Sequence, residues 1–206
     1  MSITETRPTA VEPSDYGADI AAAWIGDFTS ALAARDADGL GTLFQPGATF
    51  RELLALSWEF RNGVGRDEIV ALLTADATVA PASMEVAEGA TIRVSDALDS
   101  VESFFTFTTA NGAGDGYLVL NRTEGDAWRA ETVFFTLASL NDFPENVDAL
   151  RPEGRVHAPI RGRKPYLEEL DVPCAENEPE VVIIGGGHNG LMTAARLKAI
   201  GIRSVI

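Results

Sequence analysis

The sequence predicts an α+β domain followed by the start of a strand–helix–strand unit, and three observations indicate this class. In the N-terminal part, apolar residues recur at a spacing of four, as Ile20, Trp24, Phe28 and Leu32 do. Beyond Pro81 the apolar period becomes two, which is typical of strands. Near the C-terminus an apolar run leads into glycines and then into a second helical pattern. We therefore expect a sheet packed on helices, joined to a separate segment.

Capping residues mark the expected helix starts. Ser14 and Asp15 favour the start of the first helix, and Asp36 favours the start of a short second helix. Pro46-Gly47 is expected to end that second helix. A third helix is predicted in GRDEIVALL, where Asp67 lies in the acidic first turn. Between these helices ATFRELLAL predicts a strand, and Asn62-Gly63 predicts a turn.

Four segments after Pro81 are rich in β-branched and aromatic residues: MEVAEGATIRV, SVESFFTFTT, GYLVLNRT and AWRAETVFFTLASL. Turn-forming stretches separate them and predict consecutive antiparallel strands. In the last segment, strict alternation places Ala130 on one face with Phe134 and places Val133 on the other with Phe135. Both faces become apolar, so this strand is expected to lie centrally and to be covered on both sides.

The composition limits the classes of partner. With 31 Asp+Glu against 16 Lys+Arg, the formal net charge is −15, which repels phosphate backbones and anionic lipid. We therefore expect no nucleic-acid or membrane partner. The N-terminus has no signal-peptide pattern and no apolar run is long enough to span a bilayer, so a cytoplasmic location is expected. Cys174 is the only cysteine, which excludes an intramolecular disulfide and a cysteine-built zinc site, and we expect no metal.

The segment EVVIIGGGHNG carries the clearest functional motif. Gly185, Gly187 and Gly190 fit G-x-G-x-x-G, directly after a buried-strand pattern and directly before the helical pattern LMTAARLKAI. In a dinucleotide-binding fold the first glycine makes the tight turn, the second lets the backbone approach a pyrophosphate, and the third lets helix and strand pack closely. His188 and Asn189 are the neighbouring loop positions. His188 is expected to be a polar loop residue, since a catalytic base must lie near reacting atoms.

The dinucleotide-binding fold also needs an acidic residue about twenty positions beyond the glycines, to hold the ribose hydroxyls. The sequence reaches Ile206 before that position. We therefore expect the chain to be the front portion of a longer enzyme, with a truncated Rossmann-type βαβ start. On this interpretation the chain alone neither retains FAD nor oxidises NADPH.

Two parts of the sequence resemble known proteins. From Ser14 to Leu140 the order of helices and strands resembles the ketosteroid-isomerase-like cone, or SnoaL-like fold, in which a curved antiparallel sheet wraps around helices. FRELLALSWEFRNGVGRDEI and EPEVVIIGGGHNGLMTAARLKAIGIRSVI both resemble flavin-containing monooxygenases that carry this cone at their N-terminus. The predicted organisation is a flexible arm at 1–13, a cone domain at 14–140, a connector at 141–179 and an FAD-binding βαβ start at 180–206.

The resemblance implies an enzyme that binds FAD and NADPH and oxygenates a small-molecule substrate. It implies that Gly185, Gly187 and Gly190 hold the FAD pyrophosphate, with His188 and Asn189 beside them. No residue of this chain corresponds to the NADPH loop or to the oxygenation site, so the catalytic residues stay unassigned. The cone is expected to assist packing, or to form a homodimer through its exposed sheet face.

The cone itself offers carboxylates and a tyrosine as candidates for chemistry: Glu52, Glu59, Glu102, Glu131 and Tyr117. Both histidines, His157 and His188, lie beyond Leu140, which disfavours dehydratases that depend on paired histidines. For each candidate an ion pair or a solvated strand position is the expected role, because buried carboxylates are uncommon. Trp24, Trp58 and Trp128 are expected to be core residues.

Three hypotheses follow from the sequence. The first is the N-terminal part of an FAD- and NADPH-dependent monooxygenase. The second is a stand-alone SnoaL-like binding or dimerisation module. The third is an isomerase or dehydratase that uses a carboxylate base in the cone.

Overall fold

The computed structural model describes residues 15–88, 93–95, 99–146 and 178–206, with side-chain burial from residue 17 onwards. The chain divides into two compact units, Met1–Asn141 and Asp142–Ile206. The predicted arm at 1–13 lies outside the described residues. So does most of the predicted connector, including His157 and Cys174.

Three helices are described in the N-terminal unit: α1 (Asp15–Ala34), α2 (Ala37–Leu43) and α3 (Arg66–Thr74). The Asp36 side chain accepts a hydrogen bond from the Gly39 N–H at 3.0 Å, which confirms it as the N-cap of α2. Among the helices that the structure describes, none is both long and apolar enough to cross a membrane.

The described part of the N-terminal unit contains seven strands: β1 (Phe44–Leu53), β2 (Phe60–Val64), β3 (Ser83–Val86), β4 (Arg93–Val94), β5 (Ser100–Thr108), β6 (Gly112–Arg122) and β7 (Trp128–Leu140). They form one sheet in the order β2-β1-β7-β6-β5-β3, with β4 also paired to β5. The consecutive antiparallel strands β5, β6 and β7 are as predicted. The single strand predicted before them is two short strands, β3 and β4.

The sheet is mixed, so the prediction of a purely antiparallel sheet was wrong. β1 pairs with β7 in parallel, with Phe50 beside Val133. This pairing makes β7 central, between β1 and β6, as its apolar faces predicted. Parallel neighbours need a long crossover, and here the chain runs through β2, α3 and the rest of the sheet between β1 and β7. Nothing in the local pattern of β1 specifies a partner so far along the chain.

A β-bulge in β7 overturns the predicted alternation of its faces. Leu120 pairs with Ala130 and Val119 pairs with Thr132, so Glu131 is the extra residue. As a result Ala130 is buried on the same side as Val133, whereas strict alternation places them on opposite faces.

The turn predicted at Asn62-Gly63 was also wrong, because both residues lie inside β2. They pair with Arg51 and Phe50 of β1. A Cβ at Gly63 would lie 2.9 Å from Leu72 Cδ1 of α3, so this glycine permits close packing of the helix on the strand. The chain reverses instead at residues 54–59, which we call the β1–β2 loop.

Aromatic side chains fill the space between α1 and the sheet. Trp24 stacks on Phe28 with ring centroids 5.0 Å apart, and Phe28 contacts Phe135 of the central strand at 5.9 Å. Phe135 also meets Phe105 edge-on at 4.9 Å. Six phenylalanines are among the largest fully buried side chains: Phe28, Phe44, Phe50, Phe105, Phe107 and Phe135. The i, i+4 face predicted for α1 is therefore confirmed as a core face.

In the C-terminal unit, β8 (Val181–Val182), α4 (His188–Ala199) and β9 (Ser204–Val205) follow one another. β8 and β9 form a two-stranded parallel pair, with Val181 beside Ser204. The helix ends at Gly201, whose φ is +81°. The Ile202 N–H reaches the Leu197 carbonyl at 2.9 Å and the Gly201 N–H reaches the Lys198 carbonyl at 3.1 Å, which is the Schellman arrangement. This turn returns the chain to run beside β8.

Candidate functional site

The glycine-rich turn between β8 and α4 has a backbone conformation that disfavours residues with a side chain at some of its positions. Gly185 has φ of +115°, a region that L-residues rarely adopt. A Cβ on Gly190 would lie 2.0 Å from the Gly185 carbonyl oxygen, so only glycine fits there. Gly187 differs from both, because a Cβ there would meet no described residue within 4 Å apart from its neighbours in the chain. Its lack of a side chain therefore leaves open space next to the backbone.

The first turn of α4 presents free backbone donors. Gly187 is the N-cap and supplies no side-chain hydrogen bond. The first helical bond runs from the Leu191 N–H to the Gly187 carbonyl at 3.0 Å. Within the described residues, the N–H groups of His188, Asn189 and Gly190 therefore have no acceptor. The first turn of α4 has no acidic residue, and Arg196 and Lys198 lie in its last turn. Such a helix start attracts anions.

Glu52 is the one buried carboxylate among the residues whose burial is described, and it forms a hydrogen-bonded ion pair. Its Oε1 accepts from Arg61 Nε and, at 2.5 Å, from the Ser57 hydroxyl. Its Oε2 accepts from the Leu56 N–H at 2.6 Å. The Glu52 side chain has no exposed surface and that of Arg61 is 10% exposed. Both carboxylate oxygens are therefore occupied by protein donors.

The rest of the Arg61 guanidinium is also bound. Nη2 donates to Thr78 Oγ1 at 2.9 Å, and Nη1 donates to the Leu72 carbonyl at 3.3 Å. From the sequence, Arg61 was expected to pair with Glu59, whereas the hairpin turn at residues 54–59 places it directly opposite Glu52. The pairing of Glu52 with Arg61 was not predicted because the turn was placed at Asn62-Gly63.

The recess beside the β1–β2 loop has a volume of only about 10 Å³. That is at the lower limit for one water molecule, so an organic substrate does not fit. Trp58 at its rim has φ of +60° and is 51% exposed, contrary to the prediction of a core position. Trp24 is buried as predicted, and Trp128 is partly buried.

Glu102 and Tyr117 meet on the outer face of the sheet. The Tyr117 hydroxyl donates to Glu102 Oε2 at 2.9 Å, and Arg93 Nη1 lies 3.9 Å from the same carboxylate oxygen. Burial, and secondly the hydrogen bond to Glu102, raise the pKa of Tyr117 to about 12. The phenol therefore keeps its proton at neutral pH and is directed at the carboxylate that would act as base. Glu59 and Glu131 are exposed.

Two buried side-chain donors have no partner in the part of the chain that the structure describes: Gln45 Nε2 and Arg129 Nε. Neither was predicted, because the sequence pattern does not show which polar groups the fold leaves unsatisfied. No group of three or more metal-ligating side chains occurs among the described residues.

Comparison with known proteins shows similarity to solved structures only. No family profile matches the chain, and no curated protein matches its sequence. A cystatin-like fold protein from Burkholderia xenovorans is 16% identical with a TM-score of 0.48, over 62% of this chain and 95% of that one. An NTF2-like protein of unknown function from Silicibacter pomeroyi is 20% identical with a TM-score of 0.45, over 61% and 100%. A ketosteroid isomerase-like protein from Erwinia carotovora is 13% identical with a TM-score of 0.45, over 61% and 99%.

With TM-scores of 0.45 to 0.48, these similarities assign the chain to no family. At 13 to 20% identity the similarity does not extend to activity. The comparisons give no support to a flavin monooxygenase relationship, which stays a prediction.

Substitution of Glu52 tests whether its buried ion pair with Arg61 stabilises the fold. Glu52→Gln removes the charge that compensates buried Arg61, so we expect a loss of about 3–5 kcal/mol in the free energy of unfolding. Chemical denaturation monitored by circular dichroism measures this loss. Glu59→Gln is the matched control in the exposed loop and should change the value by less than about 0.5 kcal/mol. Equal small effects of both substitutions would contradict a structural role for Glu52.

Proposed function

We propose that the C-terminal unit binds the pyrophosphate of FAD, and that the chain forms the N-terminal part of an FAD- and NADPH-dependent monooxygenase. The observation that carries this proposal is the conformation of the glycine turn. Gly185 and Gly190 are required by the backbone itself, whereas Gly187 leaves space beside free N–H groups. These are the three separate demands of the dinucleotide-binding motif. In such an enzyme NADPH reduces the bound flavin, which then activates oxygen.

The parallel strands on either side of α4 support the same proposal. A strand, a glycine turn, a helix and a parallel second strand bring the helix start to the carboxyl end of β8. The donors there are His188, Asn189 and Gly190, and the side chains of His188 and Asn189 are exposed. Within residues 181–206 the proposed contacts to FAD are therefore those of these backbone donors with the pyrophosphate.

In this proposal the N-terminal unit packs or assembles and does not catalyse. Aromatic side chains occupy its core, and the buried acid Glu52 is held by three protein donors. A general base needs an available carboxylate within reach of substrate. Glu102 and Tyr117 form a half-buried pair of acid and donor, and each group occupies the other. These observations disfavour the hypothesis of an isomerase or dehydratase.

Substitution of Gly187 tests the pyrophosphate site. Gly187→Ala places a methyl group where the phosphates approach, so FAD should bind about tenfold or more weakly. The fold should persist, because among the described residues no atom beyond the neighbours of Gly187 in the chain lies within 4 Å of that methyl group. Fluorescence anisotropy of FAD titrated with the protein measures the affinity.

Gly186→Ala is the matched control. Its Cβ would meet Ile206 Cγ2 at 3.9 Å, an ordinary van der Waals contact, and its φ is not in the left-handed region. FAD should therefore bind this variant as it binds the unmodified chain. If both substitutions weaken binding equally, or neither does, the glycine turn is not the pyrophosphate site.

A second candidate function, a stand-alone dimerisation module, is favoured by the outer face of the sheet. Phe104 is 50% exposed there, and its ring centroid lies 5.1 Å from that of Tyr117. Tyr117 in turn pairs with Phe134 of β7. These three aromatic residues form a row across β5, β6 and β7 that a second copy of the chain would cover in a homodimer.

Phe104→Lys tests that candidate. A lysine in the centre of a homodimer interface would bury an unpaired charge, so the variant should be monomeric where the unmodified chain is dimeric. Sedimentation velocity at several protein concentrations distinguishes the two states. Val64→Lys introduces the same charge at an exposed position of β2 and should leave the dimer intact. A monomeric unmodified chain would rule out the dimer.

A further inference from the structure

A cleft in the N-terminal unit contains two arginines that have no carboxylate partner. It lies between α2, the start of α3 and the start of β7, and its volume is about 590 Å³. Arg66 and Arg129 line it together with Asp38 and Asp67. Neither arginine forms an ion pair within 4.0 Å in the described part of the chain. That is unexpected in a chain with 31 acidic residues, two of which line the same cleft.

Arg129 is the stronger indication of a ligand. Its Nε is buried and has no hydrogen-bond partner among the described residues. Buried donors in folded proteins are almost always hydrogen-bonded, so an unpaired guanidinium nitrogen indicates a missing acceptor. A guanidinium cannot avoid this cost by losing its proton, because it stays charged at any physiological pH. An acceptor from outside the chain would satisfy the group.

Arg66 is held in position at the same cleft. It is the first residue of α3, and its Nε donates to the Phe44 carbonyl at 3.1 Å. This bond fixes the guanidinium and leaves its remaining N–H groups available. The N-cap of α3 is Gly65, which makes no side-chain hydrogen bond to the helix start. Asp67 and Glu68 lie in the first turn of α3 and compensate the helix start, so the positive charge at the cleft comes from the two arginines.

We propose that this cleft binds a small anion through Arg66 and Arg129, with a carboxylate or phosphate group as the recognised chemistry. The planar fork of a guanidinium matches two oxygens of either group. Asp38 and Asp67 limit the size and charge of the ligand, because a second anionic group near them would be repelled. The cleft therefore selects compact anions and rejects polyanions. This site is independent of the glycine turn, which lies in the other unit.

The test follows the Nε–Hε signals of the arginines by ¹H–¹⁵N NMR at low ionic strength. The full chain is titrated with inorganic phosphate and, separately, with succinate. We expect a saturable shift of the Arg129 signal with at least one probe, and the probe that is bound identifies the ligand as a phosphate or a carboxylate. Arg129→Gln should weaken that binding about tenfold or more, as expected for loss of a charge-assisted hydrogen bond. Arg66→Gln should weaken binding of the same probe to a similar extent. It therefore serves as an independent variant if Arg129→Gln folds poorly.

Arg51→Gln is the matched control, since it removes the same charge from an exposed position of β1 outside the cleft. It should leave the affinity unchanged. The proposal is overturned if neither probe gives a saturable shift of the Arg129 signal. It is also overturned if Arg51→Gln weakens binding as much as Arg129→Gln does, because binding would then reflect net charge alone.

Discussion

The buried ion pair between Glu52 and Arg61 is the constraint on which much of the N-terminal unit depends. It joins β1 to β2, and through Arg61 it reaches the end of α3 at the Leu72 carbonyl. The same carboxylate binds the Leu56 N–H and so fixes the β1–β2 loop. Removing one partner would leave an uncompensated buried charge, which is far more costly than breaking a surface pair. A carboxylate held in this way acts as a structural group and not as a general base.

The sequence predicted the helices and the consecutive antiparallel strands β5, β6 and β7 because these depend on local patterns. α1 follows from apolar spacing, and α2 follows from the Asp36 cap. The errors all arose where distant contacts override local preference. The bulge at Glu131 depends on how β7 fits β6, and the placement of Gly63 in β2 depends on the packing of α3. The parallel pairing of β1 with β7 depends on the whole sheet.

The candidate sites also differ in whether the sequence alone could predict them. The glycine turn could be predicted because Gly185, Gly187 and Gly190 fit one sequence motif within six consecutive residues. The cleft with Arg66 and Arg129 could not, since its residues come from elements that only the folded chain brings together. Glu52 was among the predicted candidates. Its pairing with Arg61 was not predicted, because the hairpin turn was placed at Asn62-Gly63. Local motifs thus identify the proposed cofactor site, and tertiary contacts decide which acids and bases are available.

Amide chemical-shift mapping with ADP tests whether the start of α4 binds pyrophosphate. ADP contains the adenosine and the pyrophosphate of FAD and lacks the flavin. We expect saturable shifts of the His188, Asn189 and Gly190 amide signals, whose N–H groups have no acceptor within the described residues. Shifts confined to the Arg129 signal, or no saturable shift at these three amides, would contradict this binding.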